Sequence, residues 1–449
     1  MQHQATIYQI NTATFLNELS QQEGKQITLA TVPDSAWDEL VRPSITTIWF
    51  MGIWQRSQRS RELNYGAQWL KDALPDMTDA DVIGSAYSVQ AYTVDESFGG
   101  DEGFAVARRK LNERGISLML DFVPNHTAID HSWVTEHPEF YLSGTAEELE
   151  QSPDSFVQTE SGIFANAKDP QFPAWSDVLQ LNAYSPAMRQ AAIDTLLKIS
   201  EQCDAVRCDM TMLMMNDVFR QTWGKRAGPA PAEEYWEVVI HAVKSLRPNF
   251  LFVAEAYWGK EPELIEQGFD ACYDKDTYDY LIEGNVRELK KHLEHVMPIQ
   301  DRLLRFVENH DEPRIGLLPI EQHKAAAVIS MTLPGIRLLH DGEFEGRLVR
   351  VPVQLARRKD EPVNEAVHIF YSELLTEMET MKVGQGSWHI EPVRSTLFGN
   401  GAHHVLAWSW QNEAGKTMIT VNYSDKQVRV KLGKQLVQLE PWQYMIERS

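Results

Sequence analysis

Basic residues are scarce in this chain: 42 Lys and Arg stand against 64 Asp and Glu, a formal charge of -22 over 449 residues. A surface with that balance repels nucleic acid and anionic membranes, so the expected partner is a neutral or cationic small molecule, with no nucleic acid and no membrane. Long apolar runs are missing as well. No stretch of about 18 apolar residues occurs, and the opening segment MQHQATIYQINTATF has neither a basic n-region nor a long apolar h-region. A membrane span and a secretion signal are therefore not expected, and a cytoplasmic location is. Cysteine is sparse too. Cys203, Cys208 and Cys272 form an odd set without CxxC spacing, two of them in apolar segments that read as core, which points away from disulfides and from a zinc site. Internal repeats and low-complexity segments are likewise lacking. The hydrophobic fraction of 43% and charged fraction of 24% are those of an ordinary globular protein, long enough for one large domain and a smaller one.

What is present is a rhythm. Short β-branched or aromatic runs at 5–10, 46–51, 117–123, 205–208, 250–254, 269–273, 303–307 and 336–340 read as strands. Between them, 101–114, 186–202, 233–246, 285–296 and 320–332 carry apolar residues at three- and four-residue spacing, as amphipathic helices do. Ser185-Pro186 offers an N-cap followed by a first-turn proline, and Gly115 stands where a helix stop belongs. Strands alternating with helices predict a parallel sheet, and eight of them predict a closed (β/α)8 barrel of the α/β class.

Two interruptions break the alternation. The segment 127–182, rich in Ser, Pro, Asp and aromatics, is too long for a plain connection and reads as an insertion domain after the third strand. The loop 53–92 after the second strand is its expected neighbour on the active-site rim. From 384 onward the helical period stops, and HHVLAWSW, KTMITVNY, VRVKL and WQYMI alternate as an antiparallel β-domain would. The expected organisation is thus a barrel from 1–126 and 183–383, an insertion at 127–182 and a C-terminal β-domain at 384–449.

Four motifs end or follow predicted barrel strands: LMLDFVPNH (118–126), AVRCD (205–209), LFVAE (251–255) and RFVENHD (305–311). Each runs an apolar strand into carboxylates or imidazoles, where catalytic groups of such barrels gather. Any one alone could be a strand-end salt bridge or a helix cap; four at one structural level argue for a site.

In that order the motifs resemble the signatures of glycoside hydrolase family 13, the α-amylase family: DxxxNH, RxD, a strand-ending Glu, and NHD. The resemblance covers nearly the whole chain and implies a retaining glycosidase that needs no cofactor and no catalytic metal. It implies Asp209 as nucleophile, Glu255 as general acid/base and Asp311 as third essential carboxylate. His310 with Asp311 would grip the sugar's 2- and 3-hydroxyls, and His126 the 6-hydroxyl. Tyr87, in GSAYSVQAY, would be the platform beneath the reacting ring. Asp121 and Asn125 would support the pocket. From the residues themselves, Arg207 lies two before Asp209 on the same strand face and should hold that carboxylate by a charge-assisted bond. Burial at the end of FVA should favour the protonated form of Glu255. Arg314 either braces the third carboxylate or caps its turn.

The chain also departs from the pattern. Ala91 stands before Tyr92 where relatives commonly carry Asp. Met212 and Leu213 replace the Lys-His pair associated with the acceptor side and with a structural calcium, although Asn125 remains where the family places one calcium ligand. The run MTMLMM is either an apolar wall on the leaving-group side or plain core. With no starch-binding module in view, the expected substrate is a small intracellular α-glucoside, for instance an osmolyte such as glucosylglycerol. The alternatives are a transglycosylase or phosphorylase-type enzyme, an α-glucan or maltooligosaccharide hydrolase, and a non-catalytic carbohydrate-binding protein.

Overall fold

The computed structural model describes residues 5–396 and 401–449. Residues 1–4 and 397–400, within the spans assigned above to the barrel and the C-terminal domain, lie outside the described residues. Eight parallel strands close into a barrel: β1 (Thr6–Asn11), β2 (Thr47–Met51), β3 (Ser117–Phe122), β4 (Ala205–Cys208), β5 (Leu251–Ala254), β6 (Ala271–Tyr273), β7 (Leu303–Arg305) and β8 (Ile336–His340). Each pairs with its successor and β8 returns to β1. All eight runs expected from the sequence are strands, within two residues at either end.

Both faces of these strands are covered, which is why they read as continuous apolar runs rather than alternating ones. The two-residue period is nevertheless visible in the packing. Ile7, Trp49, Met119, Ala205, Val253, Ala271, Leu304 and Leu338 meet in one small cluster, the barrel interior. Their strand neighbours Tyr8, Ile48, Leu120, Val206, Phe252, Cys272 and Leu339 belong to the large cluster beneath the helices. Parity then fixes what comes next. Asp121 shares the inward parity of Met119, Arg207 and Asp209 that of Ala205, and Glu255 that of Val253.

The expected helices form as Gly100–Asn112, Pro186–Ser200, Tyr235–Leu246, Val286–His295 and Ile320–Thr332. Ser185 caps the second of these, its hydroxyl accepting from the Met188 N–H, and Met188, Ala192, Leu196 and Ile199 line its buried stripe. Gly115 takes a left-handed φ of 75° just past the first, as a helix stop should. The helices Thr12–Glu23 and Asp34–Leu40 carried no clear period and were not expected.

The stretch 53–92 is more than a loop. Trp54–Arg56 pairs antiparallel with Val89–Val94, and two short α-helices and one 3-10 turn lie between. In the stretch after β3, His126–Ala128 pairs with Val178–Gln180, and Phe156–Thr159 forms a hairpin with Gly162–Ala165. Beyond the helix Glu365–Met381 the chain builds two antiparallel sheets, one from Ser387–Ile390, Val405–Asn412, Gly415–Asn422 and Tyr444–Arg448, the other from Val393–Ser395, Val428–Leu432 and Gln435–Leu439. They dock on the barrel through buried hydrogen bonds: Trp410 Nε1 donates to the Thr332 carbonyl at 2.8 Å, and the Tyr423 hydroxyl to that of Leu281 at 2.7 Å. Among the described residues no helix is long and apolar enough to cross a membrane.

One glycine limits the closure of the barrel. Gly335 enters β8 at φ 101°, and a Cβ there would lie 2.3 Å from the Leu303 carbonyl oxygen of the neighbouring strand. Gly335→Ala should therefore cost about 3 kcal/mol or more, combining left-handed strain with a backbone clash. Gly24→Ala, at φ 64° with nothing within 4 Å, should cost only about 1 kcal/mol. Urea unfolding of the two variants checks this; equal losses would show that β8 yields where the fold says it cannot.

Candidate active site

The strand register brings the motifs together. Arg207 stands opposite Asp121 on β3 and Val253 on β5, so the next inward residues, Asp209 and Glu255, leave their strands side by side. Arg207 is fully buried and forks between acids: Nη1 lies 2.7 Å from Asp209 Oδ1 and 3.7 Å from Asp121 Oδ1, and Nη2 lies 2.8 Å from Glu255 Oε2. A planar guanidinium suits this task, because its donors point in fixed divergent directions. Asp121 is tied further by the Trp49 indole and the Gly52 N–H on its other oxygen, both at 3.2 Å. Burial pushes its pKa up to about 6, with Arg207 opposing.

Glu255 is the more perturbed acid. Burial drives its pKa up, to about 8; the Arg207 charge opposes that rise and the nearby Asp209 and Asp311 charges reinforce it. Its two oxygens differ. Oε2 receives the Met210 N–H at 2.6 Å beside the guanidinium, whereas Oε1 meets the Tyr257 hydroxyl at 2.7 Å. The acid proton therefore belongs on Oε1. The Met210 N–H reaches Glu255 because Met210 is left-handed, with φ 44° and ψ 46°, a conformation a methionine rarely adopts. Thr211 completes the link, its N–H and hydroxyl both donating to the Glu255 carbonyl, at 3.2 and 2.6 Å.

On the other side of the site, His310 Nε2 lies 2.6 Å from the Tyr87 hydroxyl and 3.0 Å from Asp311 Oδ2, and the His310 and Tyr87 rings stack at 5.3 Å. Burial lowers the His310 pKa to about 4, so the ring is neutral. Its Nδ1 sits 2.7 Å from Nε2 of Gln9, a fully buried inward residue of β1. With the amide so oriented, Gln9 donates to Nδ1 and the imidazole proton stays on Nε2, facing Tyr87 and Asp311. His126 is also buried, which lowers its pKa, and packs 5.3 Å from the Trp175 ring.

These groups surround one cavity of about 350 Å3. Tyr87, His126, Asp209, Glu255 and Asp311 line it together with Ser85, Trp175, Asp177, Val178, Met210, Tyr257 and Gln354. Arg207, Asp121 and His310 lie behind this wall. One expectation needs correction. Arg314 neither reaches Asp311 nor lines the cavity: it is buried, ion-paired with Glu308 in its own turn, and donates to the Asp341 carbonyl at 2.8 Å, so it fastens the turn after β7 to the segment after β8. Of the two readings of MTMLMM, plain core holds for Met212 and Leu213, which are buried, while Met210 is the methionine on the cavity. Of the residues that sequence reasoning missed, Tyr257 had a signal, standing two after a strand-ending Glu. Trp175, Asp177 and Gln354 lie in irregular segments where no period marks an inward side chain.

Whether Asn125 could serve as a calcium ligand can be tested against its donors. The Asn125 carbonyl and Oδ1 both receive the Gln180 amide, at 3.0 and 2.8 Å, and among the described residues no three His, Cys, Asp or Glu side chains are grouped to hold a metal ion. The residues present do not fit a calcium ion at Asn125.

Comparison with known proteins agrees with this picture. Residues 44–267 match the model of the alpha amylase catalytic domain. Over 320 residues the chain is 22% identical to alpha-amylase 3 of Dictyoglomus thermophilum, a match covering 66% of this chain and 59% of that one. It is 20% identical over 365 residues to a cyclomaltodextrinase of Thermoanaerobacter pseudethanolicus, covering 75% and 57%. The matched region thus spans less than two thirds of either relative's length. The crystal structure of the α-amylase from H. orenii superposes with a TM-score of 0.71 over 100% of both chains at 17% identity, which shows the shared fold.

Two outcomes follow from the geometry. Asp209→Asn and Glu255→Gln should each lower kcat by roughly three to five orders of magnitude while circular dichroism stays that of the parent; near-normal turnover in either would remove that residue from the chemistry. The neutral acid form of Glu255 exists below its raised pKa and is lost above it. kcat/KM should therefore fall as pH rises through about 8, and a basic limb that begins near pH 5 would contradict the assignment.

Proposed function

Residues 44–267 match the alpha amylase catalytic domain, and on that premise we propose that the chain is a retaining α-glycosidase of small α-glucosides. Asp209 attacks the anomeric carbon while Glu255 protonates the departing glycosidic oxygen from Oε1, leaving a β-glycosyl ester on Asp209. Glu255, now a carboxylate, takes a proton from water, which attacks the same carbon and releases Asp209, so two inversions give net retention. The Arg207 fork supports this reading. Two acids held by the two ends of one guanidinium are kept within reach of a single sugar carbon, as the about 5–5.5 Å spacing of retaining enzymes requires. Asp311 and Tyr87, with His310 behind them, form the opposite wall, suited to gripping the ring as it flattens towards the oxocarbenium-like transition state.

The observation that carries the size of the substrate is a zipper between rim segments. Val82 bridges Leu355; the Ile83 N–H donates to Gln354 at 2.9 Å and that of Ala356 to Asp81 at 2.8 Å; Arg357 Nε pairs with Asp81 Oδ1 at 2.7 Å. The strap after β8 is thereby fastened across the rim, with Gln354 and Ser85 facing the cavity. A site closed on that side favours one terminal glucosyl unit over the middle of a long chain, and a cavity of about 350 Å3 has the scale of a small ligand.

Incubation with glucosylglycerol, sucrose, trehalose, maltose and soluble glucan tests the proposal. A small glucoside should give the highest kcat/KM, with α-glucose as the first anomer seen by NMR. Preference for the polymer would overturn the substrate class, and β-glucose as first product the double displacement.

A further inference from the structure

Gln180 ends the strand Val178–Gln180 that returns the insertion to the barrel, and it faces His126 across the antiparallel pair. Its side chain is fully buried. The amide Nε2 is surrounded by three oxygens: the Asn125 carbonyl at 3.0 Å, Asn125 Oδ1 at 2.8 Å and the Leu181 carbonyl at 3.0 Å. A second bond runs beside them, from the Leu181 N–H to the Asn125 carbonyl at 3.0 Å.

Each amide orientation is fixed by its surroundings. Were the Gln180 amide turned over, its carbonyl oxygen would face three oxygens. Were that of Asn125 turned over, two NH2 groups would meet and Nδ2 would leave His126 Nδ1, 3.3 Å away. Convergence on Nε2 also has a cost, because Gln180 Oε1 has no hydrogen-bond partner among the described residues. A buried acceptor left so is retained only where the opposite end of the amide contributes more.

Several oxygens, two of them backbone carbonyls, converging on one electropositive centre is what a hard cation such as calcium assembles, at about 2.3–2.6 Å. Here the centre is a nitrogen with two hydrogens, at distances normal for N–H···O bonds. The same space cannot also hold an ion.

We propose that Gln180 stands in for a structural cation: its amide, and not calcium, ties the insertion to the end of β3 and keeps Asn125 and His126 in place. The fold should then be indifferent to calcium, and a carboxylate at 180 should create the need. Gln180→Glu removes the donors and leaves a negative charge among three oxygens, a ligand set for calcium rather than for itself.

Thermal unfolding of the full chain tests this. The parent should show the same Tm, within about 1 °C, in EDTA and in millimolar calcium chloride. Gln180→Leu should lose several degrees in both, since Asn125 Oδ1 and the Leu181 carbonyl lose the Gln180 donor and the Asn125 carbonyl keeps only the Leu181 N–H. Gln180→Glu should melt below the parent in EDTA and regain several degrees with calcium, with calcium binding visible by calorimetry. A parent Tm that falls in EDTA and returns with calcium overturns the proposal even if neither variant folds. So does a Gln180→Leu protein as stable as the parent, or a folded Gln180→Glu protein that ignores calcium.

Discussion

A single fully buried guanidinium holds the site together. Arg207 is withdrawn from water at the mouth of the barrel with Asp209, Glu255 and Asp121 around it. Burying a cation costs several kcal/mol unless its partners stay, and breaking a buried pair of this kind costs about 3–5 kcal/mol. The cluster is therefore maintained as a unit. One positive charge cannot neutralise three carboxylates in a poorly solvated pocket, so one acid stays protonated at neutral pH. The raised pKa values, about 6 for Asp121 and about 8 for Glu255, identify Glu255 as that acid. In this account the division of labour between two chemically alike side chains arises from where the proton is cheapest to keep.

The rest of the molecule can be understood as the means of placing that cluster. Parallel strands deliver residues more than a hundred positions apart to one rim, and the two-residue period selects which of them turn inward. The outer positions are taken up with packing under the helices. The loops then shape what the acids can meet: the stretch between β3 and β4 contributes Trp175, Asp177 and Val178, and the strap after β8 contributes Gln354. Arg314 belongs to this scaffolding. Its ion pair with Glu308 and its bond to the Asp341 carbonyl anchor the root of the strap rather than the third carboxylate.

Much of this was legible in the sequence, and for a physical reason. Strands buried on both faces must be apolar throughout, so Thr47–Met51 or Leu251–Ala254 announce themselves, and an Asp or Glu at the end of such a run is conspicuous. The helices Thr12–Glu23 and Asp34–Leu40 were missed because each buries only a few residues and shows no sustained stripe. The pairing of Trp54–Arg56 with Val89–Val94 was missed because strands of that length, broken by register shifts, have no period to read. Gln9 and Gln180 show the other limit. Their roles rest on which amide faces which atom, and that is set by packing across the whole barrel rather than by neighbours in the chain.

The most direct test of the central claim is the titration of the Glu255 carboxyl itself, followed by 13C NMR of carboxyl-labelled protein and assigned with Glu255→Gln. In the parent it should titrate near pH 8, and in Asp209→Asn, where a like charge is gone and the guanidinium remains, at clearly lower pH. A Glu255 carboxyl that titrates in the ordinary range near 4 to 5, or that does not respond to the loss of Asp209, would contradict the account.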